Sequence, residues 1–158
     1  MKTFKHGGVH PEENKLSAGA AIEILPVPEH VSIPVSQSLG APSKVVVEKG
    51  ASVKTGQLLA KGSAFISSNV HSSVSGKITR LDEVTDTSGY RRPAVIIEVI
   101  GDEWEEGIDR SPEIVSDIRL SREEIIQKLN EMGIVGLGGA TFPSHVKLMI
   151  PEGKKAEY

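Results

Sequence analysis

Residues 133–148, GIVGLGGATFPSHVKL, gather the groups from which anion sites are made. Without a Cβ, glycine reaches positive φ and lets backbone amides approach a ligand closely, so Gly136, Gly138 and Gly139 could turn N–H groups toward one anion. Thr141 or Ser144 could add a hydroxyl and Lys147 a positive charge. Neither common phosphate template fits. A Walker A loop needs Gly-Lys-Ser/Thr where this chain has Gly139, Ala140 and Thr141, and the dinucleotide fingerprint should follow a strand and open a helix. From the residues alone the segment reads either as an anion cradle or as a glycine-rich turn that packs a helix against a sheet.

Other reactive groups are sparse. His6 and His10, in KHGGVHP, have a four-residue spacing that would place both on one face of a helix. Gly7 and Gly8 disfavour that helix, and no third ligand is evident, so no metal site and no acid–base catalytic residue is expected. His71 has no evident partner. The chain has no cysteine, which excludes disulfides, thiolate chemistry and cysteine-held zinc or iron–sulfur clusters within these residues. Its net charge of −3 comes from intermixed acidic and basic residues and gives no footprint for nucleic acid. No apolar run nears the roughly 20 residues of a membrane span, and the polar start MKTFKHGGVHPEENK lacks a signal-peptide core. A cytoplasmic location is expected.

The elements that must position the glycine segment can be read from the same chain. With 4% aromatic residues, 16 Gly and 9 Pro in 158 residues, composition favours short strands and turns over a large helical core. Residues 1–42 are cut up by Pro11, Pro26, Pro28, Pro34 and Pro42; AAIEILP (20–26) and HVSIPV (30–35) alternate as strands do. From residue 43 to 101, KVVVEKG, QLLAKG, AFISSNVHSSVSG and KITRL are predicted as short strands and turns separated by glycines. PAVIIEVIG (93–101) is predicted as a longer buried strand with Pro93 at its start. Residues 102–120 read as an acidic connector carrying Gly107 and Pro112, with Trp104 able to pin it down. SREEIIQKLNEMG predicts a helix: Ser121 and Glu124 form a capping box, Ile125, Ile126, Leu129 and Met132 share a face, and Gly133 terminates it.

Two resemblances refine this reading. Residues 47–81 resemble the barrel-sandwich hybrid of lipoyl and biotinyl domains, whose G-x-x-V-x-x-G-Q-x-L turn is matched by Gly50, Val53, Gly56, Gln57 and Leu59, and whose closing V-x-G turn by Val74 and Gly76. Carriers attach their cofactor to a hairpin-tip lysine. Here that spacing falls on Phe65, with no lysine between Lys61 and Lys77, so the resemblance implies a scaffold and not a swinging arm. GIVGLGGATFPSHVKL is very similar to the glycine motif of the flavin- and NADH-binding subunit of respiratory complex I, approximately G-L-R-G-R-G-G-A-G-F-P-T-G-x-K-W. Thr141 stands at one of its glycines, and Val135 and Leu137 at its arginines. This version of the motif, with the early FKHGGVHP and the carrier-like segment, resembles the RnfC family of the Rnf electron-transport complex.

The resemblance implies a mainly β fold: a barrel-sandwich hybrid at 43–101, with residues 1–42 packed on it and 102–120 as linker. The helix and glycine loop of 121–158 then begin an α/β flavin/NADH-binding domain that these residues leave incomplete. It further implies an NADH-facing subunit of a membrane-bound, ion-translocating NADH:ferredoxin oxidoreductase, held peripherally by other subunits on the cytoplasmic side of the bacterial inner membrane. FMN and NADH are the implied cofactors, with Gly136, Gly138, Gly139, Ala140 and Lys147 as the matching binding positions. The family's [4Fe-4S] clusters would lie in the full-length protein, with no ligands here, and these 158 residues alone are expected to bind FMN and NADH weakly or not at all. The alternative is a non-catalytic docking module within an electron-transport complex.

Overall fold

The computed structural model describes residues 12–151 and 153–154. His6 and His10 lie outside them. The body is two antiparallel sheets. β1 (His30–Pro34), β7 (Arg91–Val99), β6 (Gly76–Thr85) and β3 (Ser52–Val53) form the larger, in that order across the sheet. β2 (Lys44–Val45), β4 (Leu58–Lys61) and β5 (Val70–His71) form the smaller. Between them Ile33, Val35, Val53, Leu59, Ala60, Val70, Ile78, Val95 and Ile97 make one buried cluster. It is built from aliphatic residues, most of them β-branched; Ile33 and Val35, and Val95 and Ile97, alternate inward, while Leu59 and Ala60 are buried side by side, and the two-sheet core fills without aromatics.

Each position of the carrier-like motif has a physical task. Val53 and Leu59 are core residues. Gly56, at φ +88°, takes a conformation that costs other L-residues roughly 1–2 kcal/mol. Gln57 closes the turn twice: its Oε1 accepts from the Lys54 amide at 3.0 Å, and its own amide donates to the Lys54 carbonyl at 3.1 Å. Gly76 lies where β6 meets β7 and pairs with Val99.

β6 and β7 form the long hairpin, and a bulge between Ile78 and Arg80 inserts Thr79, whose hydroxyl donates to the Ile96 carbonyl at 3.2 Å. An extra residue flips the side chains that follow it. The flip sets Leu81 opposite Val95, on the face that carries Ile78 and Ile97; Ile78 is fully buried whereas Leu81 is 45% exposed, so cover on this face thins beyond the bulge. β7 begins at Arg91, two residues before Pro93. Proline is tolerated as its third residue, and its carbonyl accepts from the Val35 amide at 2.9 Å.

One sequence expectation needs correction. AAIEILP forms no strand: among the described residues, 20–26 join no sheet, and Ile22 and Ile24 are almost wholly exposed. Its apolar alternation is real, but the two prolines at 26 and 28 separate it from β1, which begins only at His30. The connector is held at Trp104, the residue expected to pin it. Thr55 bridges to Trp104 through its amide, which donates to the Glu103 carbonyl at 2.8 Å, and its carbonyl, which accepts from the Glu105 amide at 2.9 Å. Arg110 stacks on the Trp104 ring at 4.4 Å. Residues 102–108 are therefore tied to the β3–β4 turn, while 109–120 are exposed and without regular structure.

The buried serines serve the backbone. Ser72 Oγ donates to the Val74 carbonyl, Ser43 Oγ to the Ser68 carbonyl, and Ser75 Oγ to the Ile100 carbonyl while accepting from the Glu103 amide. A hydroxyl so engaged offsets its desolvation with a backbone bond and offers no nucleophile.

Candidate functional site

Helix α1 (Arg122–Glu131) leads into the glycine segment. Its capping box is complete: Ser121 Oγ accepts from the Glu124 amide and the Glu124 carboxylate accepts from the Ser121 amide. Those hydrogen bonds hold the Glu124 carboxyl below its usual range. At the other end the Gly133 amide donates to Asn130 and the Ile134 amide to Leu129, with Gly133 at φ +68°, the Schellman arrangement. Ile125, Ile126 and Leu129 are half-buried and Met132 is exposed. With Val115, Ile118 and Leu120 part of this face lines an open groove of about 420 Å³.

From Gly133 the chain crosses into a small hairpin. Val135 bridges Pro143, the Gly136 amide donates to the Phe142 carbonyl at 3.0 Å, and the Ser144 amide donates to the Ile134 carbonyl at 2.9 Å. The base is thus a short ladder and the apex, Leu137–Ala140, is a solvent-exposed turn. Gly136 belongs to the base, with its N–H already bonded to Phe142. Among the described residues no acceptor meets the amides of Gly138, Gly139 or Ala140, and open space surrounds the Cα of both glycines. Thr141 is the only non-glycine described residue with positive φ, at +50°. It occupies the motif position where complex I has glycine, so the backbone there is left-handed in a chain whose side chain does not favour it.

α2 (Ser144–Lys147) follows at once and carries the last candidate, Lys147, which is exposed. Pro143 and His145 are buried instead. Burial lowers the His145 pKa below the ordinary imidazole value, and the neighbouring Phe65 backbone opposes this with a smaller upward effect. Phe65 itself is 67% exposed, on the 62–69 loop between β4 and β5. The position where carriers hold a lysine therefore presents its backbone to α2. Sequence reasoning misses three residues at this junction, His145, Asn69 and Leu39. Asn69 Nδ2 donates to the Glu131 carbonyl at 3.1 Å, and the Leu39 amide donates to the Thr141 carbonyl at 3.3 Å. Two of these contacts run through backbone groups of ordinary residues, which leave no mark in composition or spacing.

The chemical capacity of the arrangement is narrow. Among the described residues no three His, Asp or Glu side chains converge as a metal site, and no helix is long and apolar enough to cross a membrane. What is presented is a turn of unengaged amides on a fixed base, a few residues before a lysine.

The family described as RnfC Barrel sandwich hybrid domain matches residues 2–102, and the two-sheet body is the fold that this description names. The chain belongs to the RnfC family. Over 99% of its length it is 46% identical to a subunit of the proton-translocating ferredoxin:NAD(+) oxidoreductase complex of Clostridium ljungdahlii, covering 34% of that protein. It is 42% identical over 98% of its length to the corresponding subunit of the Na(+)-translocating ferredoxin:NAD(+) oxidoreductase complex of Acetobacterium woodii, again covering 34%. A subunit of the ion-translocating oxidoreductase complex of Rhodobacter capsulatus is 37% identical over 90% of the chain and 27% of its own length. This RnfC-family chain thus spans about a third of the first two relatives. Both matches run through the glycine segment as well as the β body.

Proposed function

We propose that this chain supplies the β body and the first wall of the cofactor site in the NADH-facing subunit of a membrane-bound, ion-translocating NADH:ferredoxin oxidoreductase. The full-length protein would sit peripherally on the cytoplasmic face, held by other subunits of the complex. The observation that carries the reading is the turn at Gly138–Ala140, three successive amides without an acceptor among the described residues, held on the Val135–Pro143 base in a family whose named relatives are oxidoreductase subunits.

FMN fits this turn. A phosphate can come close to Gly138 and Gly139 because nothing occupies the space that a Cβ would take. The amides of Gly138, Gly139 and Ala140 would receive the anion and Lys147 would offset its charge, while Gly136 holds the loop base. When bound, the flavin supplies hydride acceptance from NADH and onward electron transfer; the protein's part is to bind, orient and shield it. Iron–sulfur clusters would be held by residues outside this chain, which has no cysteine.

The test is flavin content. In the full-length protein, Lys147→Ala removes a charge-assisted contact worth about 1.5–3 kcal/mol, so FMN affinity should fall roughly 10- to 100-fold. Unchanged flavin content and turnover would favour the docking-module alternative. The 158-residue chain, offering one wall, should quench FMN fluorescence weakly or not at all, and tight stoichiometric quenching would contradict the one-wall reading.

A further inference from the structure

The 62–69 loop lies at the tip of the β4–β5 hairpin, and it is there that the glycine segment meets the β body. Two hydrogen bonds fix the segment at its start and middle, and a buried imidazole meets the same loop at its end. At its start, Asn69 Nδ2 donates to the Glu131 carbonyl, in the last turn of α1, and Gly133 presses so closely on Asn69 that a Cβ would overlap its carbonyl oxygen. In its middle, the Leu39 amide donates to Thr141; Leu39 is placed by the same loop, since the Ala41 amide donates to Ile66 at 3.0 Å and a Cβ on Gly40 would strike the Ile66 carbonyl. At its end, the buried His145 lies beside the Phe65 backbone.

The side chain that joins the two parts is Asn69. Its Oδ1 accepts from the Gly62 amide at 2.9 Å, across the hairpin loop, while its Nδ2 reaches the helix terminus. An amide can do both at once, because it offers an acceptor and a donor from one planar group, whereas an ionised aspartate of the same size only accepts. The amides of Gly138–Ala140 are one short hairpin away from these anchors, so the pose of the turn on the β body is set by them.

We propose that Asn69 is a positioning residue for the glycine turn, and that the hairpin tip, which in carrier domains bears the cofactor itself, here serves as the seat that orients a cofactor-binding loop. The flavin part rests on the proposed function above; the seat itself does not.

The experiment compares Asn69→Asp with Asn69→Leu in the full-length protein within its complex. Aspartate keeps the acceptor for Gly62 and loses the donor to Glu131; leucine loses both. Amide hydrogen exchange is read at 133–146 and at β4 and β5, and bound flavin is measured on the same samples. Positioning predicts that both variants speed exchange at 133–146 by about five- to tenfold, one lost hydrogen bond of roughly 1–1.5 kcal/mol, and lower flavin content. In Asn69→Asp, β4 and β5 should keep wild-type exchange. If Asn69→Asp leaves 133–146 unchanged, or loosens β4 and β5 equally, the seat is overturned. If 133–146 loosens with flavin fully retained, the seat stands and the flavin reading of the turn fails, which the separate loss or retention of flavin in Lys147→Ala corroborates.

Discussion

Gly76 lies flat against the carbonyl of Glu98: a Cβ on residue 76 would overlap that oxygen and sit 3.1 Å from the Ile100 amide nitrogen. Both neighbours are backbone, so neither can rotate away. Gly76→Ala must part the β6–β7 ladder at the place where it joins the core, and should lower stability by about 3 kcal/mol. Gly89→Ala is the control. Gly89 has positive φ, +83°, but nothing within 4 Å of a Cβ, so only the conformational cost of roughly 1 kcal/mol remains. Urea midpoints of the two variants at equal m-value give the comparison, and equal losses would refute the close-approach argument.

Gln57 is the second motif residue whose role is specific. Removing its Oε1 strands the Lys54 amide in a partly buried turn. Gln57→Leu should therefore cost about 1–2 kcal/mol, whereas Gln57→Glu, which keeps an acceptor, should cost clearly less. Thermal denaturation of both in parallel tests this, and a leucine variant as stable as wild type would show the hydrogen bond to be idle.

These two residues also show why the β body is legible in the sequence. Gly56 and Gln57 act through local geometry that has few chemical solutions, so the residue type at a given spacing nearly names the turn; Gly76 is legible by the repeat of that motif, although what demands it is the backbone of Glu98 across the ladder. The capping box at Ser121 and Glu124 and the terminator Gly133 are legible for the same reason. The AAIEILP segment misleads because alternation records which residues could face a sheet, and whether a partner strand is within reach is a tertiary fact. The anchors on the glycine segment are invisible for a third reason. Asn69 contacts the carbonyl of a residue 62 positions away, and Phe65 contributes only its backbone. The glycine loop itself is visible as a group of residues, but its division into a bonded base at Gly136 and an open turn at Gly138–Ala140 emerges only from the hairpin.

Thr141 carries a removable strain. A β-branched residue at φ +50° costs roughly 1–2 kcal/mol, and its hydroxyl offsets part of this by donating to the Ala140 carbonyl. Thr141→Gly relieves the strain, loses that bond and gains the larger backbone entropy of an unfolded glycine, about 0.5–1 kcal/mol. The net change should lie within about 1 kcal/mol of zero. Thr141→Val keeps the strain and loses the bond, so it should be the less stable of the two, by about 1 kcal/mol or more. Thermal midpoints rank the pair, and a valine variant more stable than the glycine variant would show that residue 141 is not strained.

His145 makes the attachment of the glycine segment sensitive to acid. Burial disfavours its charged form, so its pKa in the folded chain is below the value of about 6.5 that an exposed imidazole has. The unfolded chain then binds a proton at a pH where the folded chain does not, and the linkage has a definite sign: stability is complete above about pH 6.5 and declines as pH falls below it, through the depressed folded value. Arg122 and Glu123 line the same groove, a cation and an anion whose effects on the imidazole oppose each other, so burial sets the direction. His71, half-buried in β5, is lowered by burial as well and contributes with the same sign. Urea midpoints from about pH 7.5 to about pH 5.5 should therefore fall in the wild type, fall less in His145→Gln, and fall less again in His71→Gln/His145→Gln. Hydrogen exchange separates the two sites: in wild type at about pH 5.5, after correction for intrinsic rates, protection should be lost at 141–147 before it is lost at β4 and β5. A pH profile that His145→Gln leaves unaltered would mean that the imidazole is not titrating against its burial beneath the Phe65 loop.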